Sequence, residues 1–358
     1  MKFIIVNQEQ FGYRNDTIYF CRYMKDDFDI VCICWDHGLP KIEIEGARVV
    51  YVSREGNIFI RSIRFLKVAF GESKEKKTIA FIKYFKGISL AIKLLVPFSY
   101  YILDIRSGAT ETRHITRFIN DGLLKITTYF FENITVISEG LSKKLGLYPR
   151  AHVLPLGAES LSIKTKQFHS LNLLYVGNLY ERRKIINTVW GIKKFYDEYR
   201  HQINIKYTIV GDGKNKESEN LKKIISDIGM EKVILVEGYV QHDKLKKYFD
   251  DSNIGVSYIP ITEYYDHQPP TKTYEYLLSG MAVIATNTTE NRKVIKKEYG
   301  VLIGDSVDDF YRGLKAIYER RESFDSDRIR RDNLKHSWEN IVKGNLLKYS
   351  KDIQTYSQ

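Results

Sequence analysis

Short apolar runs alternate with amphipathic or polar stretches along the whole chain, and the alternation falls into two successive arrays. In the first, FIIV (3–6), DIVCICW (29–35), ARVVYVS (47–53), SYYILDI (99–105), NITVIS (133–138) and HVLPLG (152–157) read as buried strands. Continuous apolar runs rich in β-branched residues suit a parallel sheet covered on both faces. Helical patterns lie between them at 17–25, 115–131 and 138–147, and the basic stretch between ARVVYVS and SYYILDI reads as helices. A polar linker, 159–170, follows, and then the pattern restarts. LNLLYVGNL (171–179), KYTIVGDG (206–213), VILVEGYV (233–240), IGVSYIP (254–260), AVIAT (282–286) and GVLI (300–303) are a second set of strands, separated by helices at 185–199, 221–229 and 242–252. From Ser306 onward the chain reads as helical, with Trp338, Ile341, Leu346 and Leu347 forming an apolar stripe. Two βα arrays predict two Rossmann-like domains, 1–158 and 159–335, facing a central cleft. The final segment, about 336–358, is assigned with the first domain.

One stretch stands out chemically. In QPPTKTYEYLLSGMAVIATN (268–287), Pro269 and Pro270 lead into a short amphipathic helix that stops at Gly280, and a buried strand follows. Thr271, Lys272 and Thr273 then offer backbone N–H groups at a helix start, with a lysine beside them, which is a site for an anion such as phosphate. Glu275 lies one turn after Thr271, on the same face. The competing reading makes Lys272 a solvated charge and Glu275 a surface helix former. In the first array, Asp104 and Arg106 sit at the carboxyl end of SYYILDI, where open α/β sheets bind ligands. They form either a substrate-holding pair or a structural ion pair.

Composition narrows the class. The chain has 358 residues, 43% of them hydrophobic, enough for two ordinary cores, with no low-complexity tract. No signal peptide is recognisable, and the most apolar window, 88–103, is interrupted by Lys93 and Pro97, so a cytoplasmic protein is expected. Three cysteines, Cys21, Cys32 and Cys34, lack a second Cys/His pair at metal-ligand spacing and read as buried free thiols. The net charge of +12 is concentrated, with nine Lys and Arg against two Glu from Arg61 to Lys93, interleaved with aromatic and aliphatic residues. A solvated helix face, or a surface resting on anionic lipid headgroups through residues 61–95, accounts for such a stretch. No nucleic-acid-binding motif accompanies it, and no nucleic-acid partner is expected.

LLYVGNLYERRK, YTIVGDG, VEGYVQHDKLKKYFDDSNIGVSYIP and PPTKTYEYLLSGMAVIAT together resemble family 4 of the glycosyltransferases, in that family's order and spacing, over about residues 171–304. FIIVNQEQFGY, LDIRSG, TVIS and LPLGAE resemble its acceptor domain more loosely. The resemblance implies the GT-B fold, with the last helix crossing back onto the N-terminal domain. It also implies retaining transfer of a sugar from a nucleotide-sugar to a glycan or lipid-linked acceptor, with no cofactor and no metal. By the same resemblance the donor-binding residues are Gly12, Arg183, Lys184, Gly238, Tyr239, Thr271, Lys272 and Glu275, with Arg183 at the diphosphate and Glu275 on the ribose. Two positions depart from the family pattern. Asn178 stands where the family has an arginine, and His267 where its E-x7-E motif has the first Glu. No single catalytic residue is assigned, and His267, Asp266, Asp104 and Arg106 are the candidates.

The expected function is therefore transfer of a hexose to a lipid-linked or cell-surface polysaccharide precursor, peripheral to the inner face of the plasma membrane. A nucleotide-sugar epimerase of the same fold and a non-catalytic GT-B-like binding subunit are the alternatives.

Overall fold

The computed structural model describes residues 1–13, 16–74, 77–108, 114–213, 215–263 and 265–355, excepting the side chains of His114 and Arg117, and the elements counted below are those of the described residues. Glu75 and Lys76 of the basic stretch and the last three residues of the C-terminal segment lie outside them. The chain divides into two compact units, residues 1–156 with 338–358, and residues 157–337.

Unit 1 begins β1 (Lys2–Asn7), α1 (Asp16–Met24), β2 (Asp29–Asp36), β3 (Ala47–Ser53), α2 (Ile58–Glu72) and β4 (Thr78–Lys83). It continues α3 (Ile88–Leu95), β5 (Tyr100–Ile105), α4 (His114–Thr128), β6 (Asn133–Val136), α5 (Glu139–Leu145) and β7 (His152–Val153). The strands form one parallel sheet in the order β3-β2-β1-β4-β5-β6-β7. Successive residues of a strand point to opposite faces, and the cores follow that rule. Ile4, Val6, Val31, Ile33, Ala80 and Ile82 meet α2 to α5 on one face. Phe3, Ile5, Ile30, Cys32, Ile79 and Phe81 face the other way, toward α1. The three cysteines are buried free thiols.

The helical reading of the stretch from Arg61 to Lys93 is corrected at its centre. TIAFIK is β4, a fully buried strand beside β1. A six-residue run buried on both faces shows no alternation, so charge on either side masked it. Lys83 is consequently not a surface charge. It is buried, and its ammonium lies 2.7 and 2.8 Å from the two carboxylate oxygens of Asp16.

Unit 2 comprises β8 (Leu171–Val176), α6 (Ile186–Tyr199), β9 (Ile205–Val210), α7 (Glu217–Asp227), β10 (Ile234–Gly238), α8 (Lys246–Asp251) and β11 (Ile254–Ser257). After these come α9 (Thr271–Leu278), β12 (Ala282–Thr286), α10 (Thr289–Val294), β13 (Gly300–Ile303), α11 (Val307–Arg320) and α12 (Ser326–Asn333). Its parallel sheet has the order β10-β9-β8-β11-β12-β13, so direction of growth reverses between β8 and β11. The C-terminal helices α13 (Trp338–Ile341) and α14 (Leu347–Thr355) belong to unit 1. Trp338 stacks on Tyr19 at 5.1 Å and meets Phe20 edge-on at 5.9 Å. Burying an indole in this way contributes roughly 3 kcal/mol or more, enough to fix the segment to α1.

Within unit 2 the turn after α12 carries His336, whose ring packs 4.9 Å from that of Tyr274 on α9. Burial pushes its imidazole down to about 4 from the ordinary 6.5. A depressed histidine pKa means that the unfolded chain binds a proton the folded chain refuses, so stability falls as pH drops from about 6.5 toward 4. We expect His336 to cost the protein on the order of 1–2 kcal/mol at about pH 5 relative to pH 7. Thermal melts of the wild type and His336→Gln at both pH values check this. An equal acid-induced loss in the two proteins would place its source elsewhere.

Candidate functional site

Open α/β sheets bind ligands beyond the carboxyl ends of their strands, where strand order reverses. In unit 2 that point lies between β8 and β11, and a pocket of about 330 Å³ opens there. Its walls are the end of β8 (Tyr175 to Asn178), the end of β11 (Val256 to Ile259), Arg183, Tyr265 and the entry to α9 from Gln268 to Lys272. A second pocket of about 450 Å³ shares Gly177 and Asn178 and continues over β9 and β10 past Gly211, Asp212 and Tyr239. Glycines keep this edge bare. A Cβ on Gly211 would sit 1.8 Å from the carbonyl oxygen of Gly177, and Gly211 holds φ +147°.

The start of α9 forms one wall. Pro270 is extended and gives no side-chain cap, and among the described residues nothing accepts from the Thr271 and Lys272 N–H groups. The helix is fixed from behind. Thr273 is buried in a chain of contacts with Ser257 (2.7 Å) and Asn291 (2.9 Å). The Tyr276 hydroxyl accepts from the Val176 N–H at 2.9 Å, tying α9 to the end of β8. Gly255 makes room for that ring, since a Cβ there would lie 2.2 Å from Tyr276 Cγ.

Glu275 is buried, with only 6% of its side chain exposed, and Lys272 Nζ donates to its Oε2 at 2.5 Å. His242 Nε2 lies 3.9 Å from Oε1. Burial alone would raise the Glu275 carboxyl, but Lys272 and His242 outweigh it and hold the group below its ordinary value. Glu275 is therefore a carboxylate kept charged inside the protein, and not a surface helix former.

Arg183 ends a short turn, Glu181–Arg183, and its guanidinium carbon lies 4.5 Å over the Tyr265 ring. Its Nε is buried with no hydrogen-bond partner. Lys184 adopts a left-handed conformation and points to Asp305, 3.8 Å away, outside the first pocket's lining. Gly238 has φ +76°, and Tyr239 is 78% exposed in the second pocket. Asp266 and His267 are adjacent to the pocket entry but not in its lining. The two oxygens of Asp266 accept from the Thr289 N–H (2.8 Å) and hydroxyl (2.6 Å), which fastens the loop to α10. Burial works against the Asp266 charge, and the Thr289 hydrogen bonds overcome it, so the carboxyl is lowered. His267 Nδ1 lies 3.8 Å from Asp266 Oδ2. Tyr265 and His242 were not singled out from the sequence. Each acts on a neighbour far away in the chain, and no spacing rule connects them.

The remaining candidates belong to unit 1. Gly12 has φ +90°, and a Cβ there would meet Ile42 Cδ1 at 2.2 Å. Asp104 is fully buried and accepts from the Thr135 hydroxyl at 2.8 Å. Arg106 Nε lies 3.6 Å from Asp104 Oδ2 and 3.5 Å from Asp16 Oδ2, while its Nη1 donates to the Leu154 carbonyl at 2.8 Å. Burial pushes Asp104 up despite Arg106. For Asp16 burial is outweighed by Lys83 and Arg106, and the carboxyl is lowered. The pair thus belongs to a four-membered ion network that holds the start of α1 to the ends of β4 and β5.

These features define a class, a protein of two Rossmann-like α/β units with a cation-lined pocket at a sheet's switch point. Residues 170–320, within unit 2, match the family model for glycosyl transferases group 1, and the chain as a whole has the GT-B fold of glycosyltransferase structures. The fold is that of sucrose-phosphate synthase from Thermosynechococcus elongatus, at TM-score 0.75 and 13% identity over 99% of this chain and 100% of that one. Anabaena HepE, solved in complex with UDP and glucose, matches at TM-score 0.74 and 9% identity over 98% of this chain and all of its own. The lipopolysaccharide outer core galactosyltransferase WaaB in its apo form matches at TM-score 0.68 and 15% identity, with 98% and 100% covered. No curated protein matches the chain in sequence.

Proposed function

We propose that the enzyme is a retaining glycosyltransferase of family 4 that takes a hexose from a nucleotide-sugar bound in unit 2 and passes it to a lipid-linked or polysaccharide-precursor acceptor bound in unit 1, without a metal. The observation that carries the reading is the α9 entry, where the Thr271 and Lys272 N–H groups, free among the described residues, and the Lys272 side chain line the pocket at the switch point of the sheet, with the buried carboxylate of Glu275 held behind Lys272. Transfer breaks the bond between the sugar carbon and the diphosphate, so the leaving group gains negative charge. Preorganised donors directed at that charge are the largest available source of rate. Thr271, Lys272 and Arg183 are those donors, and Gly177 and Gly211 let the phosphates approach the backbone. Glu275, unable to donate, accepts from the hydroxyls of the ribose cis-diol. In the free enzyme Lys272 neutralises Glu275, and a bound diphosphate draws that ammonium toward itself. Lys184, Gly238 and Tyr239 are assigned to the nucleotide end, and Gly12 to the donor from unit 1. Asp266 and the Asp104–Arg106 pair are given anchoring roles, and His267 the sugar end.

The acceptor reading is supported by the outward faces of α2 and α3, where Ile63, Lys67, Phe70, Leu94 and Leu95 are exposed, and by exposed Lys74 just beyond α2. Such a mixture suits an anionic membrane surface, and a position on the cytoplasmic face follows from it. Among the described residues no helix is long and apolar enough to cross a membrane.

Titration calorimetry with UDP, the ligand seen in HepE, is the first test. We expect binding by the wild type and a loss of about tenfold or more in Glu275→Gln, which keeps the shape but not the charged acceptor. Unchanged affinity in that variant would remove Glu275 from the ribose. Failure of every nucleoside diphosphate to bind would sink the proposal itself.

A further inference from the structure

Unit 1 has a switch point of its own, between β1 and β4, and a pocket of about 500 Å³ opens beyond the ends of β1, β2 and β4. Its walls differ in kind. Trp35, Leu66, Phe85 and Ile88 make an apolar floor, and Arg54, Arg61 and Lys86 stand on the rim against one acid, Glu9. Arg54 is steered by His37. Its Nη1 donates to His37 Nδ1 at 2.8 Å, and the opposite ring nitrogen meets the Gln8 carbonyl at 3.0 Å. Lys86 donates to Asn120 on α4 at 2.9 Å, so the rim reaches from α2 to α4.

Those two helices share a further property. Ile58 lines the pocket, and from it the apolar surface continues outward over Phe59 (77% exposed) and Ile60. On α4, Ile115, Phe118, Ile119 and Ile126, with Tyr129 just beyond its end, recur at helical spacing and are all exposed, Phe118 at 82%. An amphipathic helix of a globular protein normally turns such a stripe to its core, but the core side of α4 is supplied separately by Leu124. A cationic rim around an apolar floor, flanked by two exposed apolar helix faces, fits a molecule that is anionic at one point and hydrocarbon beside it.

We propose that this pocket is the anion site of the acceptor, and that it takes a phosphate or diphosphate carried on a hydrocarbon chain. Arg54, Arg61 and Lys86 hold the phosphate oxygens, and the chain lies over Ile58 and Phe59 toward the α4 stripe. Bidentate guanidinium contacts give the site its preference for phosphate. The inference rests on the glycosyltransferase reading for the word acceptor, while the binding site stands on its own geometry.

The test uses the full chain and monomeric octyl phosphate, with octanol and inorganic phosphate as half-ligands and phosphatidylglycerol vesicles as a bilayer control. Octyl phosphate is expected to bind about tenfold or more tightly than either half-ligand. The variant Arg54→Gln/Arg61→Gln should lose about tenfold in that affinity, and raised salt should weaken the wild type. Arg61→Gln alone, with a melting curve and UDP binding recorded beside it, separates loss of the site from loss of the fold. Equal binding of octanol and octyl phosphate, or an unaltered double variant, overturns the proposal. Binding to vesicles with none to octyl phosphate also overturns it, since that surface would recognise a bilayer only. Should octyl phosphate bind as expected while no nucleoside diphosphate does, the glycosyl-transfer reading fails and the anion site remains.

Discussion

Lys272→Met should reduce kcat/KM for the nucleotide-sugar by about two to three orders of magnitude. Two effects act together. The ammonium that meets the leaving diphosphate is removed, and so is the main partner of Glu275, whose carboxylate it holds at 2.5 Å. With Lys272 gone, burial acts on Glu275 against His242 alone, at 3.9 Å, and the carboxyl moves up toward neutrality. A protonated Glu275 is a poorer acceptor for ribose hydroxyls, so UDP affinity falls as well as turnover. The pH dependence then has a definite sign. In the wild type the carboxyl is lowered, so its stabilising charge is present above its ordinary range and lost only under stronger acid. In Lys272→Met the loss of UDP affinity begins at a higher pH. The double variant Lys272→Met/Glu275→Gln removes the stranded charge, and contacting residues of this kind couple strongly. Its melting temperature should exceed that of Lys272→Met, while its activity stays low. Nucleoside diphosphate release checks the rate, and a single variant within about a factor of three of wild type would exclude Lys272 from the leaving-group site.

Most of the architecture was legible because buried parallel strands are short apolar runs and each array repeats them. LLYV, YTIV and AVIAT needed no partner to be recognised. The α9 entry was legible for a similar reason, since Pro, Thr, Lys and Glu act there within one turn of helix. What was hidden depends on distance along the chain. β4 is concealed by its flanking lysines, and the Asp16 carboxylate that pairs with Lys83 lies 67 residues away in the chain, beyond the reach of any spacing rule. Asp104 and Arg106 left two readings open, and the ion network with Asp16 and Lys83 accounts for their burial. The unit 1 pocket draws His37, Arg54, Arg61 and Lys86 from three separate strand connections, so no contiguous motif could announce it. The basic stretch from Arg61 to Lys93 divides into the buried strand β4 and two helices whose outer residues reach the surface.

Gly211→Ala should be the most destabilising single change near the site. The new methyl would stand 1.8 Å from the Gly177 carbonyl oxygen and 2.9 Å from its carbon, both backbone atoms. Neither side can withdraw easily. Gly177 N–H donates to the Val210 carbonyl at 3.0 Å, and Gly211 N–H donates to the Gly238 carbonyl at 2.7 Å, so three strand ends are tied across the clash. Overpacking against fixed backbone, with a φ of +147° that alanine rarely adopts, exceeds the usual range of single substitutions, and about 4 kcal/mol or more is expected. A unit of this size then loses roughly 10 °C in Tm. Gly238→Ala is the matched control. Its φ is +76°, but nothing lies within 4 Å of the added methyl, so backbone strain alone applies and costs about 1 kcal/mol. Equal melting temperatures for the two variants would mean that the approach of β8 to β9 is looser than the geometry states. Saturating UDP should raise Tm in the wild type by linkage. The rise should be smaller in Gly211→Ala, because parting Gly211 from Gly177 deforms two strand ends that line the second pocket.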